Sequence, residues 1–308
     1  MIAKGEPGFS EASIVVASLA GEASLDRCVA SIISNDSGAD IIVPTTMDHA
    51  AAARIQSRYP GVRFIHAPKG TSVFVLRSLG IAACKGGIIA LTEDHCVVAP
   101  NWLDALKESI RRGYDAVGGP LDNGLDLKYY DWALYFTEYS RFIPPAPEGP
   151  TDVLTGANVA YRSETLMKYR HIWGVALHEN ELHDALVADG RKLGMDGRAW
   201  AKSFLQMPIG AAMSHLYSGG RQFGGYRASR STLSQNIFWV MASAGIPFAL
   251  LGRIISRVAL RRRDWLVKLA LSLPFIVCLL AAWCGGELAG YVSGLVPGRP
   301  FKSGGGLN

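Results

Sequence analysis

Four short aliphatic runs recur over the first hundred residues: SIVVASL (13–19), ADIIVPT (39–45), VRFIHA (62–67) and GGIIALT (86–92). Short, β-branched and nearly free of charge, they suit strands buried on both faces. Between them apolar residues return at helical spacing, as Leu25, Val29, Ile32 and Ile33 do after the turn at Gly21. The Ala-rich stretch 48–58 stops before Pro60-Gly61, TSVFVLRSLGIAAC (71–84) gives a third helix, and Pro100 opens a fourth with Trp102, Leu103 and Leu106 on one face. Such alternation predicts an α/β domain with a doubly wound, mostly parallel sheet. Ligands of these sheets bind beyond the carboxyl ends of the strands. Chemistry is therefore to be sought after the fourth run, at Thr92-Glu93-Asp94-His95.

From residue 114 the alternation loosens. DAVGGPL reads as a strand, LKYYDWALYFTEYS (127–140) as an aromatic helix and RFIPPAPEGP as a Pro-rich loop. TGANVAYRSETL (155–166) gives a turn, a strand and a helix start, and HENELHDALVADG (178–190) a helix with a glycine stop. No linker separates this stretch from the first, so both belong to one expected domain over 1–222.

The remainder, 223–308, differs in kind. Two uncharged runs, 237–251 and 269–286, flank Arg253, Arg257, Arg261, Arg262 and Arg263. Residues 1–220 hold 20 Lys and Arg against 24 Asp and Glu, whereas 221–308 hold 11 against 2. A basic rear of this size points to nucleic acid or to an anionic membrane. The long aliphatic stretches between the arginines favour the membrane and argue against nucleic acid. Each run falls near or below the length that spans a bilayer, about 17–25 residues. We therefore expect a membrane-associated helical pair whose first member breaks near Gly245-Ile246-Pro247. The N-terminal MIAKGEPGFSEAS lacks an apolar leader core, and the five cysteines form no CxxC pair. Both features fit a cytoplasmic catalytic domain held on an inner membrane.

On residue types alone, Glu93-Asp94-His95 reads two ways. Two carboxylates and an imidazole at a strand end suit Mn²⁺ or Mg²⁺ completed by phosphates, and equally suit a polar strand terminus. GIIALTEDHCVVAPNWLDAL, however, resembles the strand-four segment of family 2 glycosyltransferases of the GT-A fold, with an acidic triplet followed by a Pro-x-Trp-Leu helix start. TGANVAYRSETL is similar to that family's Gly-x-Asn segment near the acceptor. HENELHDALVADGRKL (178–193) is similar to its base-bearing helix, and AWCGGELAGYVSG (282–294) to the membrane hairpin of some bacterial members.

The resemblance implies a nucleotide-sugar donor, an inverting transfer and a lipid-linked or polysaccharide acceptor. It implies donor contacts from Ser18, Lys69, Arg77, Glu93, Asp94 and Arg221, a metal on Asp94 and His95, and Glu179 as the base, with Glu181 and Asp184 as its competitors. The chain departs from the family at His95, where an Asp is usual, and at Ser18-Leu19-Ala20, which replaces Pro-x-aromatic-Asn. It departs again at Pro44-Thr45-Thr46, where acids are common and Asp48 is the nearest substitute. The segment 215–231, with Arg221, Arg227 and Arg230, reads either as a loop gripping a diphosphate or lipid headgroups, or as a basic flank. Two other functions remain open: a nucleotidyltransferase, for which ASLAGEAS lacks a basic glycine-rich loop, and an inactive membrane scaffold.

Overall fold

The computed structural model describes residues 11–35, 38–126 and 128–294. The stretch before residue 11 and the Gly304–Gly306 tail lie outside them. The chain begins β1 (Ala12–Ala17), α1 (Glu22–Ile33), β2 (Asp40–Thr45), α2 (His49–Arg58), β3 (Val62–His66), α3 (Val73–Ala82) and β4 (Ile88–Glu93). It continues β5 (Cys96–Val98), α4 (Trp102–Arg111), β6 (Ala116–Gly118), β7 (Leu121–Asn123) and α5 (Tyr129–Tyr139). Next come β8 (Gly149–Pro150), β9 (Asn158–Arg162), α6 (Ser163–Lys168), α7 (Arg170–Trp173), α8 (Glu179–Ala188), β10 (Leu193–Met195) and β11 (Ala201–Ser203). Helices α9 (Ile209–Ser229), α10 (Leu233–Ala242), α11 (Ile246–Arg261) and α12 (Leu266–Gly294) complete the described chain.

Two compact units result. Of the described residues, the first takes those up to 122 together with 144–204, and the second takes 123–143 and those from 205 onward. The expected boundary at 222 falls inside α9.

The α/β unit is built on an eight-stranded sheet ordered β3-β2-β1-β4-β9-β6-β10-β8. The four aliphatic runs form its parallel half, β3 to β4; β1, β2 and β4 are buried almost throughout, whereas β3, at the sheet's edge, is buried only in part. Beyond β4 the sheet is mixed, because β9 runs antiparallel to both β4 and β6. DAVGGPL yields two strands rather than one. The chain turns at Gly119-Pro120, where a Cβ on Gly119 would stand 1.7 Å from the Ala199 carbonyl oxygen. Only β6 stays in the large sheet, while β7 joins a second sheet ordered β5-β11-β7.

The helical unit corrects one sequence reading. Residues 215–229 form the C-terminal part of the continuous helix α9 rather than a loop, and only Arg230 and Ser231 of the expected segment lie beyond it. Arg253, Arg257 and Arg261, which the sequence sets between two apolar runs, lie along α11 itself. The expected break is present: α10 and α11 meet at a bend of 64°. α12 runs for 29 residues, roughly 43 Å at 1.5 Å per residue, longer than the uncharged run alone implies. It is the single helix, among the described residues, long and apolar enough to cross a membrane.

α9 and α12 pack through two facing Gly-x-x-x-Gly pairs. A Cβ on Gly220 or Gly224 would stand 2.1 or 2.2 Å from the carbonyl oxygen of Trp283 or Glu287. A Cβ on Gly286 would stand 2.0 Å from that of Tyr217, and one on Gly290 2.5 Å from that of Arg221. Small residues at this spacing let two helix backbones touch, a packing mode that works without a hydrophobic driving force.

Candidate active site

Parallel pairing sets Ala17 of β1 opposite Glu93 of β4. A bridge joins Ser18 to Thr45 at the end of β2. Three carboxyl strand ends thus lie side by side, where the sheet type places ligands.

Asp94, just past β4, turns back onto β1. Its Oδ2 accepts the Ser18 hydroxyl at 3.0 Å and the Ala20 N–H at 2.6 Å. Burial pushes its carboxyl above the ordinary range, against the pull of His95 and those two donors. Ser18 therefore reaches the triplet, as expected, by holding Asp94. The Ala20 donor is a backbone group and leaves no mark in the sequence.

Arg77 makes the principal connection in this site. Ser72 caps α3 by accepting the Val75 N–H at 3.4 Å. Gly80 presses that helix onto β1, so close that a Cβ would stand 2.3 Å from Val15 Cγ1. One turn earlier, on the same inward face, Arg77 is 3% exposed. Burying a guanidinium costs several kcal/mol unless it is paired, and here two carboxylates pair it. Arg77 Nη2 meets Glu93, and Nη1 lies 2.7 Å from Glu179 Oε2. Burial acts to lower the arginine's pKa, but Glu179 and Glu93 hold it above the usual value.

Gly156 seats the same group. A Cβ there would stand 2.4 Å from Arg77 Cζ, so a side chain in this turn would displace the guanidinium. The Gly156 N–H approaches Glu179 Oε1 at 3.4 Å. β9 carries this turn to β4, with Asn158 opposite Thr92. Thr92 donates to the Ala157 carbonyl at 3.0 Å. Asn158 is wholly buried and accepts the Trp102 indole N–H at 2.7 Å. It also donates to the Pro120 and Ala199 carbonyls, so it braces the fold rather than facing an acceptor. The Leu177 N–H binds the Phe74 carbonyl at 2.9 Å, tying the start of α8, and Glu179 with it, to α3.

The other expected residues are distributed differently. Asp184 is exposed on α8, whereas Glu179 reaches Arg77. His183 is buried against Tyr161, with Nε2 2.8 Å from the phenol oxygen, as a structural histidine would be. Lys69 is exposed on the loop after β3, outside the Arg77 network. Arg221 is exposed on α9 of the helical unit. Asp48 caps α2 by accepting the Ala51 N–H at 2.8 Å. Sequence reading missed the role of Gly156; an acid and a basic residue both flagged as functional were the available signal that a close approach was needed there.

The donor set suits a divalent ion shared with a ligand. Glu93 Oε2 and Asp94 Oδ1 lie 3.5 and 4.0 Å from His95 Nδ1. Among the described residues no three such side chains converge to hold an ion by themselves. Phosphate oxygens and water would complete the shell, the usual arrangement for Mg²⁺. Burial lowers the His95 pKa, yet Cys96, Glu93 and Asp94 outweigh it and raise it to about 9. A ligating ring nitrogen must first lose that proton.

A sequence profile of glycosyl transferase family 2 matches residues 13–170, just over half of the chain. The chain belongs to that family. The match takes in β1 to β4, Arg77 and the triplet, and ends before Glu179. No curated protein sequence matches the glycosyltransferase significantly. Among solved structures it is similar to the mannosyltransferase PcManGT from Pyrobaculum calidifontis, in complex with GDP-Man and Mn²⁺. That likeness has a TM-score of 0.58 at 12% identity, over 92% of this chain and 88% of that one. It is similar to S. aureus TarS 1-349 with a TM-score of 0.50 at 12% identity, over 90% of each chain. It is also similar to GalNAc-T7 with UDP, GalNAc and Mn²⁺, with a TM-score of 0.50 at 14% identity. There the likeness covers 66% of this glycosyltransferase and 45% of that chain. At such identities the likeness carries the fold, which is GT-A.

Proposed function

We propose that this glycosyltransferase moves a sugar, with inversion, from a nucleoside-diphosphate sugar to a membrane-borne or envelope-polysaccharide acceptor. The observation that carries the reading is the link from Glu179 through Arg77 to Glu93. It joins a carboxylate at the head of α8 to the end of β4, where a donor diphosphate belongs.

In this reading Glu179 is the general base. Arg77 holds its Oε2, and Oε1, which the Gly156 N–H approaches at 3.4 Å, takes the acceptor proton. The acceptor oxygen attacks the anomeric carbon as the nucleoside diphosphate leaves, and one displacement inverts the configuration. Ser18 and Ala20 fix Asp94. Lys69 and Arg221 remain candidates for contacts to the donor. A divalent ion, Mn²⁺ or Mg²⁺, would be held by Asp94, His95 and phosphate oxygens, and would supply positive charge to the leaving group. The two Mn²⁺-bound relatives support its inclusion.

Support for membrane association comes from α12 and from the bent α10–α11 pair; the inner membrane and a cytoplasmic catalytic part belong to the same proposal and rest on the sequence reading alone. The exposed apolar residues Leu233, Ile237, Phe238 and Met241 add to it. The test is a panel of nucleotide sugars, with and without Mn²⁺, offered to purified full-length chain. Release of nucleoside diphosphate supports glycosyl transfer. Release of pyrophosphate indicates a nucleotidyltransferase, and turnover of no donor an inactive scaffold.

A further inference from the structure

At the end of α9 the chain reverses over Arg230, Ser231 and Thr232 into α10. A capping box fastens this reversal: Thr232 Oγ1 accepts the Gln235 N–H at 3.4 Å, and Gln235 Oε1 accepts the Thr232 N–H at 2.8 Å. Against it lies a hollow of about 580 Å³. Its polar wall includes Arg227, Arg230, Ser231 and Ser234, and its apolar wall Phe238 and Trp239.

The two arginines differ in kind. Arg227 is locked in place: Nη1 lies 2.9 Å from the Tyr291 hydroxyl and 3.6 Å from Glu287 Oε1. Its guanidinium stacks over Phe223 and Trp239 at 4.5 and 4.3 Å from the ring centroids. Glu287 is 3% exposed on the apolar helix α12, a position where a carboxylate survives only with a partner. Arg230 is exposed, with Nη1 directed at the Tyr226 hydroxyl. One cation is thus preset by the packing and the other stands open to solvent, with two hydroxyls beside them.

This chemistry fits a phosphate: forked N–H donors, a Ser234 hydroxyl whose one partner among the described residues is the neighbouring Thr232 hydroxyl at 3.0 Å, and no acid in the lining, while the Ser231 hydroxyl donates to the Arg227 carbonyl. The other wall fits a hydrocarbon chain. Phe238 is 61% exposed and Met241, further along α10, 75% exposed. An ion with a phosphate head and an apolar body satisfies both walls, whereas free phosphate satisfies one. We propose that this hollow binds the phosphate headgroup of an anionic membrane lipid, with the lipid chain lying along α10. The inference rests on the membrane association proposed above and is independent of the donor chemistry.

The test titrates dihexanoyl phosphatidic acid into the full chain in an uncharged detergent, followed by calorimetry. Saturable binding is expected, with dihexanoyl phosphatidylcholine and inorganic phosphate each weaker by about tenfold or more. Ser234→Leu narrows the hollow and removes its hydroxyl without changing charge, and Arg230→Gln removes the exposed cation. Each should weaken binding by about tenfold, with the far-ultraviolet circular dichroism unchanged. Arg253→Gln, an equally exposed arginine on α11, should change it less than about twofold. Equal losses for Arg253→Gln and Arg230→Gln would reduce the effect to diffuse attraction and overturn the site. So would a Ser234→Leu chain that binds normally, or inorganic phosphate binding as tightly as the lipid. A chain that resists carbonate extraction from membranes yet binds no phosphatidic acid sinks the site and spares the membrane association.

Discussion

Replacing Arg77 by Met keeps most of the side-chain volume and removes the charge between Glu93 and Glu179. The three side chains are 4%, 16% and 21% exposed, so solvent screening is limited. Breaking a buried ion pair by removing one partner costs about 3–5 kcal/mol. With an unfolding entropy near 2.1 cal/mol/K per residue, the Tm should fall by about 5–8 °C. The sign with pH follows from the same geometry. Without the arginine the two neighbouring carboxylates repel each other, and acid relieves that repulsion. Unfolding of the full chain, followed by near-ultraviolet circular dichroism at pH 5 and pH 7.5, reads both effects. The deficit against wild type should be larger at pH 7.5. A Tm change under about 1.5 °C at pH 7.5, or an equal deficit at both pH values, would refute the claim that Arg77 neutralises this cluster.

Turnover in excess EDTA should fall and be restored by Mn²⁺; full activity in EDTA, or an Asp94→Asn chain with unchanged donor affinity and turnover, would remove the metal from the account. Gly224→Leu should separate α9 from α12, because its side chain meets the Glu287 carbonyl. Limited proteolysis in detergent should then cut the variant between these helices at least about tenfold faster than wild type, and equal rates would contradict the packing. Alkaline carbonate should leave the full chain in the membrane pellet, whereas quantitative release to the supernatant would exclude an inserted α12.

The parallel half of the sheet was legible because β1, β2 and β4 are nearly continuous apolar runs buried on both faces; β3, at the edge, shows the weaker pattern, with Arg63 and His66 exposed. Residues 158–162 were readable as a strand, but their direction was not. Antiparallel insertion between β4 and β6 depends on Asn158, Trp102 and Gly119 meeting from distant parts of the chain, and spacing carries no trace of that. Segment 215–231 misled because its glycines look like loop residues. They are the contact face of α9 against α12, so tertiary packing overrides their poor helix propensity. In the site, the triplet and Glu179 were visible as acids at element ends. That Arg77 bridges Glu93 and Glu179 was not visible, since an arginine on an apolar helix reads as solvated until its partners are known.

The claim that Glu179 is the base is tested most directly by Glu179→Gln, which keeps shape and hydrogen bonding to Arg77 while removing basicity. With the donor found in the nucleotide-sugar panel and a hydroxyl acceptor in excess, nucleoside diphosphate release and donor Kd are measured on the same preparation. Donor affinity should stay within about threefold of wild type while turnover falls by about 10²–10⁴. A variant that loses donor affinity with turnover nearly intact would make Glu179 a binding residue and contradict the account.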